Sequence, residues 1–398
     1  MVLQTLLVRG MAPWLPLREY RSGDFPFASS HPAAALQVLH RCLIMPGASG
    51  LYTPEGQPIL ESFLKRGPKQ APEFSGGQHP ASLSMQPVWP HERWHASIFI
   101  PYAVIDHFGH RLTETTAWLW PMLHSDSNPL RWVDPSMMVV LASHPDGVAK
   151  AEAIAPILGV PSQQVRPTDS LSKPILCHRV FLPVPSMVNR GWVAPHHFAA
   201  SRELVMRLHH LSAGDRAALL KAALNPSSTD RIYLSRSRLP SSYRHLDGEM
   251  MLERRLAQDG WQIVHPQERS IRDQLHVLAQ ARTVAGEASS AFHLLMFFGQ
   301  EMAHKKIILL GVRNFSKDPR IHNFAAQFHH QPIDFHYLGC LGFKHRRHRH
   351  FLVSQQRVVR RMNAIAGPST DSGMNTKRAS KTPRQALLQQ PAIMIADV

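Results

Sequence analysis

Short apolar runs and amphipathic segments alternate through the middle and second half of the chain. Runs rich in β-branched residues predict buried strands, and apolar residues recurring every three or four positions predict helices. The predicted strands lie at residues 97–104, 137–142, 179–182, 231–235, 261–264, 283–285 and 306–310. The predicted helices lie at residues 111–123, 148–158, 195–211, 247–259, 270–281 and 290–298. Strands that alternate with helices of this length indicate βαβ units and parallel sheets.

This alternation divides the chain into four predicted parts. Residues 1–95 are rich in Pro, Ser and Gly and are expected to form an N-terminal extension or cap. Residues 96–225 and 226–340 are expected to form a first and a second Rossmann-like domain, because a loop rich in Asn, Pro and Ser separates them. Residues 341–398 are expected to form a basic tail that is largely disordered. The predicted fold class is α/β, with two facing, doubly wound domains.

Composition narrows the class of protein. The chain has 398 residues, 44% of them hydrophobic, which is enough to bury a sizeable core. Its cysteines, Cys42, Cys177 and Cys340, lie far apart, which argues against a disulfide scaffold or a Cys-type zinc site and favours a cytoplasmic protein. No apolar run approaches the ~20 residues that span a bilayer. Peripheral contact with the inner membrane stays open.

The positive charge is concentrated near the C-terminus. The formal net charge is +16, and residues 341–398 carry 11 Lys and Arg against 2 Asp. The densest run extends from Lys344 to His350. A solvated tail, contact with an anionic membrane surface and nucleic-acid binding all stay open. Nucleic acid is disfavoured because no aromatic residues interleave with the basic run.

The second predicted domain gathers polar residues after two of its strands. Parallel α/β sheets bind ligands beyond the carboxyl ends of their strands, so these residues should share one rim. They are Ser235, Arg236, Arg238, Gly286, Glu287, Ser289 and Ser290, and His265, which follows a third strand, is expected at the same rim. Backbone N–H groups at the start of the following helix would bind an anion, and the arginines would pair with a diphosphate. Each feature also has an ordinary interpretation, as a solvated loop or a common strand-to-helix turn.

The first predicted domain offers an acid–base pair. His110 and Glu114 lie four residues apart at the start of a helix, and therefore on one face of it. Either side chain could act as a general base on an acceptor hydroxyl, and a surface His–Glu pair is the alternative. No Walker A, Gly-x-Gly-x-x-Gly, Gly-x-Ser-x-Gly or Asp-x-Asp motif is present.

An ordered set of residues resembles a known family. In the second half the set is Arg231-Ile232-Tyr233-Leu234-Ser235-Arg236, Glu249, Gly260-Trp261, His265-Pro266, Gln274, Ala281 and the segment Gly286 to Ala291. Upstream, Gly109-His110-x-Leu112-Thr113-Glu114 and Leu182-Pro183-Val184-Pro185-Ser186 are similar to further elements of that family. Over residues 100–312 the chain resembles glycosyltransferase family 61, whose bacterial members are often linked to capsule or exopolysaccharide assembly.

The resemblance implies a GT-B architecture and an inverting transfer from a nucleotide sugar to a glycan or lipid-linked acceptor. It also implies that no metal or other cofactor takes part, in agreement with the missing Asp-x-Asp motif. Carried over residue by residue, Arg236 would bind the diphosphate, and Glu249 and Glu287 would bind nucleotide or sugar hydroxyls. Glu114 would be the base, with His110 beside it.

Three positions depart from the family pattern. Arg111 stands where an aromatic residue is usual, Gly248 where Asn commonly precedes the Glu, and Ser289 where a glycine is expected. An inactive homologue is therefore one alternative. The other is an anion- or nucleic-acid-binding protein that acts through its basic tail. That alternative predicts that deleting residues 341–398 abolishes binding, whereas a transferase would keep its affinity for a nucleotide sugar.

Overall fold

The computed structural model describes residues 17–21, 33–66, 73–74, 80–84, 92–103, 108–123, 137–143, 151–188, 191–226, 231–240, 246–302, 305–312, 319–344, 349–352, 354–367 and 394–397. The chain forms two compact units. The N unit consists of Phe27–Leu211 with Pro391–Val398, and the C unit consists of Ser212–Gln390 with Met1–Pro26. The N unit therefore begins well before the predicted start of the first domain at residue 96.

Strands and helices are numbered along the chain. The strands are β1 (Arg18–Arg21), β2 (Ala35–Ile44), β3 (Leu51–Tyr52), β4 (Pro58–Ile59), β5 (Lys65–Arg66), β6 (Glu73–Phe74), β7 (Glu92–Ile100), β8 (Met138–Leu141), β9 (Val165–Pro167), β10 (Ile175–Pro183), β11 (Met187–Val188), β12 (Trp192–Val193), β13 (Arg231–Leu234), β14 (Leu246–Asp247), β15 (Gln262–Val264), β16 (Thr283–Glu287), β17 (Lys306–Val312), β18 (Asp334–Lys344), β19 (Arg349–Leu352) and β20 (Met394–Asp397). The helices are α1 (residues 108–123), α2 (Ala151–Leu158), α3 (His196–Leu208), α4 (Ala213–Leu224), α5 (Glu249–Gln258), α6 (Ile271–Gln280), α7 (Pro319–His329) and α8 (Gln355–Ala366).

The N unit is built on a mixed sheet. Its strands lie in the order β4-β3-β2-β10-β7-β8-β9, and β20 pairs with β2. The neighbours β10, β7, β8 and β9 run parallel, whereas β2 pairs with β10 antiparallel. Taken in chain order, the parallel strands follow the 3-2-1-4 arrangement of a Rossmann half-sheet. The order reverses between β7 and β10, and this gap is the switch point of the N unit.

Strand β2 is the main feature that the sequence assigned to an extension. It pairs with β10 over residues 36–44 and so belongs to the sheet. Its buried residues do not alternate strictly, because Leu39 is buried beside Val38 and Leu43 beside Cys42. Arg41 lies between these pairs with a left-handed φ of +52° and interrupts the pattern. Period-two alternation, the usual signal of a half-buried strand, is therefore lost.

The C unit is built on a second mixed sheet, with strands in the order β14-β19-β18-β17-β16-β13-β15 and β1 paired with β18. Five neighbours, β15, β13, β16, β17 and β18, run parallel. Taken in chain order they form the 2-1-3-4-5 arrangement of a doubly wound sheet, which reverses between β13 and β16. This gap is the switch point of the C unit.

Both faces of this sheet are buried. Tyr233 and Ile308 pack on one face in a cluster with Leu252 and Met362, from α5 and α8. Successive strand residues point to opposite faces, so Ile232, which is fully buried, packs on the other. Near-continuous apolar strands are typical of parallel sheets covered on both sides, which explains why the sequence predicted β13, β15, β16 and β17. Strand β18 was not predicted.

The C unit extends past the predicted boundary at residue 340. Strands β18 and β19 pair antiparallel, with Lys344 opposite Arg349. In helix α8, Val358, Met362 and Ile365 are buried in the core. The prediction of a largely disordered tail from residue 341 is therefore wrong for the described residues 341–344, 349–352 and 354–367, because this amphipathic helix covers the sheet, and for β20, which pairs with β2. Residues 345–348 and 368–393 lie outside the described residues.

The boundary between the units also differs from the prediction near residue 225. Helix α4 begins at a capping box, in which the Ser212 side chain accepts from the Asp215 N–H and the Asp215 side chain accepts from the Ser212 N–H. These bonds satisfy amides that have no partner within the helix. This helix belongs to the C unit, whose longer segment begins at Ser212 and not near residue 226. Among the described residues, no helix combines the length and apolarity needed to span a membrane.

Candidate active site

In the N unit, the candidate acid–base pair lies on helix α1, which follows β7 at the switch point. The Glu114 carboxylate and His110 Nδ1 form a hydrogen bond across one helical turn. Glu114 is buried, with 2% of its surface exposed, whereas about 29% of the His110 side chain is exposed. A buried carboxylate with an imidazole partner is suited to take up a proton.

A π turn shapes the helix around Glu114. Helix α1 is α-helical over Phe108–His110, forms a π turn over Arg111–Thr115 and is α-helical again over Thr116–Leu123. Side chains bind carbonyls of this turn: Thr116 Oγ1 donates to the Arg111 carbonyl at 2.9 Å, and the buried His197 binds the Leu112 carbonyl through Nε2 at 3.1 Å. Such turns are frequent at functional sites.

His197 links α1 to the segment that follows β10. A carbonyl only accepts, so the Nε2 atom of His197 carries the proton that it gives to Leu112. In the neutral ring, Nδ1 accepts from the Ser186 hydroxyl at 2.8 Å. Ser201 Oγ also donates to the Leu112 carbonyl, at 3.3 Å. The π turn is therefore fixed from α3 and from the segment after β10.

A proline in α1 strengthens this link. Pro121 lies inside the helix and has no N–H, so it cannot donate to the carbonyl of Ala117. The Ser186 N–H donates to that carbonyl instead, at 2.9 Å. One turn away, the Trp120 indole N–H donates to the Val184 carbonyl at 2.8 Å. These bonds hold the segment after β10 against the helix that carries Glu114.

Glu114 lines a cavity of about 230 Å³ in the N unit. Trp118, four residues further along α1, lies in the same wall. The rest of the lining comes from Gln37, Glu61, residues 63–65, residues 183–185, Met187, Val188 and Trp192. The cavity therefore lies beyond the carboxyl ends of β7 and β10, where open α/β sheets bind their ligands.

In the C unit, four of the predicted site residues meet at the switch point. The Arg236 guanidinium lies 3.8 Å from the Glu287 carboxylate, joining the residues that follow β13 to the end of β16. Glu249, the first residue of α5, accepts from the Arg236 N–H at 3.1 Å and from the Tyr233 hydroxyl at 3.0 Å. The Ser235 hydroxyl donates to the Glu253 carboxylate on the same helix.

Burial sets the electrostatics of this group. It raises the pKa of Glu249 to about 7; the Glu287 and Glu253 carboxylates add to the rise, and the bonds from Arg236 and Tyr233 oppose it. Burial and the Glu249 carboxylate hold the pKa of Tyr233 well above its usual value, so that its hydroxyl stays a donor. Glu249 Oε2 is buried with no hydrogen-bond partner among the described residues. That oxygen can accept from a ligand hydroxyl.

Two glycines have steric roles here. Gly248 precedes α5 with a φ of +84°, and a Cβ there would lie 2.8 Å from Gln355 Nε2. Asn also tolerates the left-handed region, so Gly248 fills the backbone requirement of the Asn that it replaces. A Cβ on Gly286 would lie 2.8 Å from the Leu234 carbonyl oxygen. Gly286 therefore permits the close pairing of β16 with β13.

The structure separates Arg238 from this group. Its exposed guanidinium pairs with Glu268 at 2.7 Å. Both line a groove of about 680 Å³ beyond the carboxyl end of β15, together with Glu253 and His265. Ser235, through its bond to Glu253, lies beside this groove.

Ser289 and Ser290 begin a helix of a different kind from the predicted one. The segment Ser290–Phe297 is a 3₁₀ helix whose residues from Phe292 onward are buried. Ser289 has a φ of −144°, an extended conformation open to any residue, so its replacement of a glycine requires no strained backbone.

The sequence assigned no role to several residues that the structure places at the candidate sites of the N unit and the C unit. Trp192 was not singled out, Ser186 was noted only at the end of a segment that resembles the family, and His197 was given no role, because these residues come from elements distant in the chain. Tyr233 alternates with buried apolar residues in β13 and gives no sign of a polar partner. Among the described residues, no group of three or more His, Cys, Asp or Glu is placed to hold a metal ion.

The comparisons with known proteins agree with the resemblance. The family model described as Glycosyltransferase 61 matches residues 108–309. The match runs from the start of α1 to β17 and includes the candidate residues of both units. A search of curated proteins found no match to the chain. The matched segment covers half of the chain, and we conclude that the protein belongs to glycosyltransferase family 61.

Proposed function

We propose that the protein transfers a sugar from a nucleotide-sugar donor to a hydroxyl of a glycan or lipid-linked acceptor, with inversion and without a metal ion. Family membership makes glycosyltransferase activity the general function. One observation carries the finer proposal: in each unit the candidate residues lie at the switch point of a doubly wound sheet. The GT-B class, with one unit for the acceptor and one for the donor, is part of this proposal.

The N unit would activate the acceptor. The Glu114 carboxylate takes the proton of the acceptor hydroxyl. At the same time, the oxygen of that hydroxyl forms a bond to the anomeric carbon of the donor. The bond from that carbon to the diphosphate breaks on the opposite face, which inverts the configuration. His110 contacts the same carboxylate and orients it. A positioned base of this kind contributes typically 10²–10⁴-fold in rate.

The C unit would bind the donor. Arg236, with 17% of its side chain exposed, is available to the leaving diphosphate. Glu249 and Glu287 would accept hydrogen bonds from nucleotide or sugar hydroxyls. The N–H groups of Ser289 and Ser290 would contribute at the same rim, whereas the Ala288 N–H already donates to the Leu310 carbonyl at 3.1 Å.

A screen of nucleotide sugars and bare nucleotides by thermal shift, in EDTA, tests the proposal. We expect one nucleotide sugar to raise the melting temperature. Arg236→Ala should weaken its binding by about 1.5–3 kcal/mol, roughly 10–150-fold, because a charged hydrogen bond is lost. Arg272→Ala is the matched control, since that exposed arginine pairs with Asp215 on the surface of the same unit.

Absence of binding across the panel, from folded protein, would contradict the proposal and favour the inactive homologue or the anion-binding protein. Binding only in the presence of a divalent ion would contradict the metal-independent part alone. An Arg236→Ala variant with wild-type affinity would remove Arg236 from the donor site.

A further inference from the structure

The cavity beside Glu114 has mostly apolar walls. They include Phe63, Leu64, Trp118, Pro183, Met187 and Trp192. Its volume, about 230 Å³, is below the ~300–1,000 Å³ of pockets that hold drug-sized ligands. The cavity is therefore of a size for a single ring rather than a chain of sugars.

Two tryptophans give this wall its chemistry. Trp118 and Trp192 are both buried, with 4% and 6% of their surface exposed, and Trp118 lies one helical turn from Glu114. Each therefore presents only part of its rigid, apolar indole to the cavity, and the rest is packed in the wall. The C–H groups on one face of a sugar ring match such a surface, while its hydroxyls remain free to reach the Glu114 carboxylate.

The charges at the cavity set a further restriction. Its lining includes two acids, Glu61 and Glu114, and one base, Lys65. Glu61 is exposed to solvent, whereas Glu114 is buried. A carboxylate or phosphate on the bound ring would lose water against apolar walls and would lie near a buried carboxylate of the same charge. Both effects oppose binding of an anionic ring. Lys65 acts in the opposite direction, but two acids against one base leave the negative charge of the lining in excess.

We propose that this cavity is the subsite for the terminal sugar of the acceptor, and that it selects an uncharged monosaccharide ring over a uronic acid or a phosphorylated sugar. Trp118 and Trp192 hold the ring, and the acceptor hydroxyl reaches Glu114. The inference rests on the proposed function, since it assigns the cavity to the acceptor of that reaction.

Binding of simple glycosides to the full chain tests the inference without a known donor. Methyl glucoside, galactoside, mannoside and xyloside are compared with methyl glucuronide by saturation-transfer NMR and tryptophan fluorescence. We expect at least one neutral glycoside to bind more tightly than the glucuronide, and Trp192→Ala to weaken its binding on the order of tenfold. Trp192→Phe keeps an aromatic face and should retain part of the affinity.

Trp94→Phe is the matched control. Trp94 lies on β7, outside the cavity, and its indole N–H donates to Glu92 at 2.9 Å. Thermal unfolding confirms that each variant is folded. The inference is overturned when no neutral glycoside binds the folded protein, when the glucuronide binds as tightly, or when Trp192→Ala and Trp94→Phe have equal effects.

Nucleotide-sugar binding is measured on the same samples, so that the two failures are distinguished. A protein that binds a nucleotide sugar but no neutral glycoside retains the proposed function and loses this subsite. A protein that binds glycosides but no nucleotide sugar loses the proposed function instead.

Discussion

At the scale of single residues, the buried carboxylate of Glu249 is only partly hydrogen-bonded, and this affects its pKa. One carboxylate oxygen accepts from the Tyr233 hydroxyl and the Arg236 N–H. The other is buried with no hydrogen-bond partner among the described residues. Burial without full compensation disfavours the ionised form and raises the pKa of Glu249 to about 7. The unbonded oxygen therefore makes the folded protein less stable than a fully hydrogen-bonded side chain would.

The pH dependence of stability should report this cost. The ordinary pKa of this carboxyl is 4.5 and its folded value is about 7, so between these values the folded protein binds more protons than the unfolded one. Wild-type stability therefore falls as pH rises through this window. Glu249→Gln should gain on the order of 1–3 kcal/mol over the wild type between pH 4.5 and pH 8.

Urea unfolding of the C unit at several pH values measures the difference in unfolding free energy between Glu249→Gln and the wild type. Glu268→Gln is the control, because that exposed carboxylate belongs to a surface ion pair in the same unit. A difference between Glu249→Gln and wild type that stays constant from pH 4.5 to 8 would contradict the raised pKa.

At the scale of elements, the π turn of α1 depends on contacts from other elements. The Leu112 carbonyl is held by His197 and Ser201 from α3. The Ala117 carbonyl, left without a helical donor by Pro121, is held by Ser186. The position of Glu114 thus depends on residues about 70 to 90 positions away in the chain.

His197→Ala should lower the turnover of sugar transfer by about 10²-fold, because a shift of about 1 Å at a reacting group has that cost. The Km for the nucleotide sugar should stay unchanged. His197→Gln can still donate to Leu112 and should recover part of the rate, and Ser201→Ala should have a smaller effect, since its bond is longer. Equal losses in kcat for all three variants, or a raised donor Km, would contradict the positioning role.

These contacts also show what the sequence could predict. Periodicity predicted four of the five parallel strands of the C unit, all except β18, because strands buried on both faces read as continuous apolar runs. It missed β2, whose alternation is broken at Arg41. The acid–base pair on α1 was readable from its four-residue spacing. The tryptophan cavity and the His197 bonds were not, because they join segments that only folding brings together.

At the scale of the whole molecule, the end of the C unit determines where the chain can be cut. Val358, Val359, Met362 and Ile365 of α8 pack into the core of the sheet. Trp261 donates to Asn363 at 2.7 Å on the same helix. A deletion of residues 341–398, chosen from the charge pattern to remove a tail, would therefore remove part of the core.

A chain ending at residue 340 should fail to unfold cooperatively. Burial of the four α8 side chains contributes about 6–12 kcal/mol in total, comparable with the whole stability of a domain. A chain ending at residue 367 keeps α8, loses β20 from the sheet of the N unit, and should retain nucleotide-sugar binding by the C unit. Urea denaturation followed by circular dichroism compares the two truncations. A stable, cooperative 1–340 chain would contradict the assignment of α8 to the core.

The central claim is that Glu114 acts on the acceptor while the C unit binds the donor. Calorimetric titration of the donor identified by screening, together with product formation, tests it on wild type, Glu114→Gln and the surface control Glu203→Gln, whose carboxylate pairs with Arg207 at 2.7 Å. We expect all three proteins to bind the nucleotide sugar equally. The rate of sugar transfer should fall by about 10²–10⁴-fold in Glu114→Gln alone. A Glu114→Gln variant that transfers at the wild-type rate, or that loses donor binding, would contradict the account.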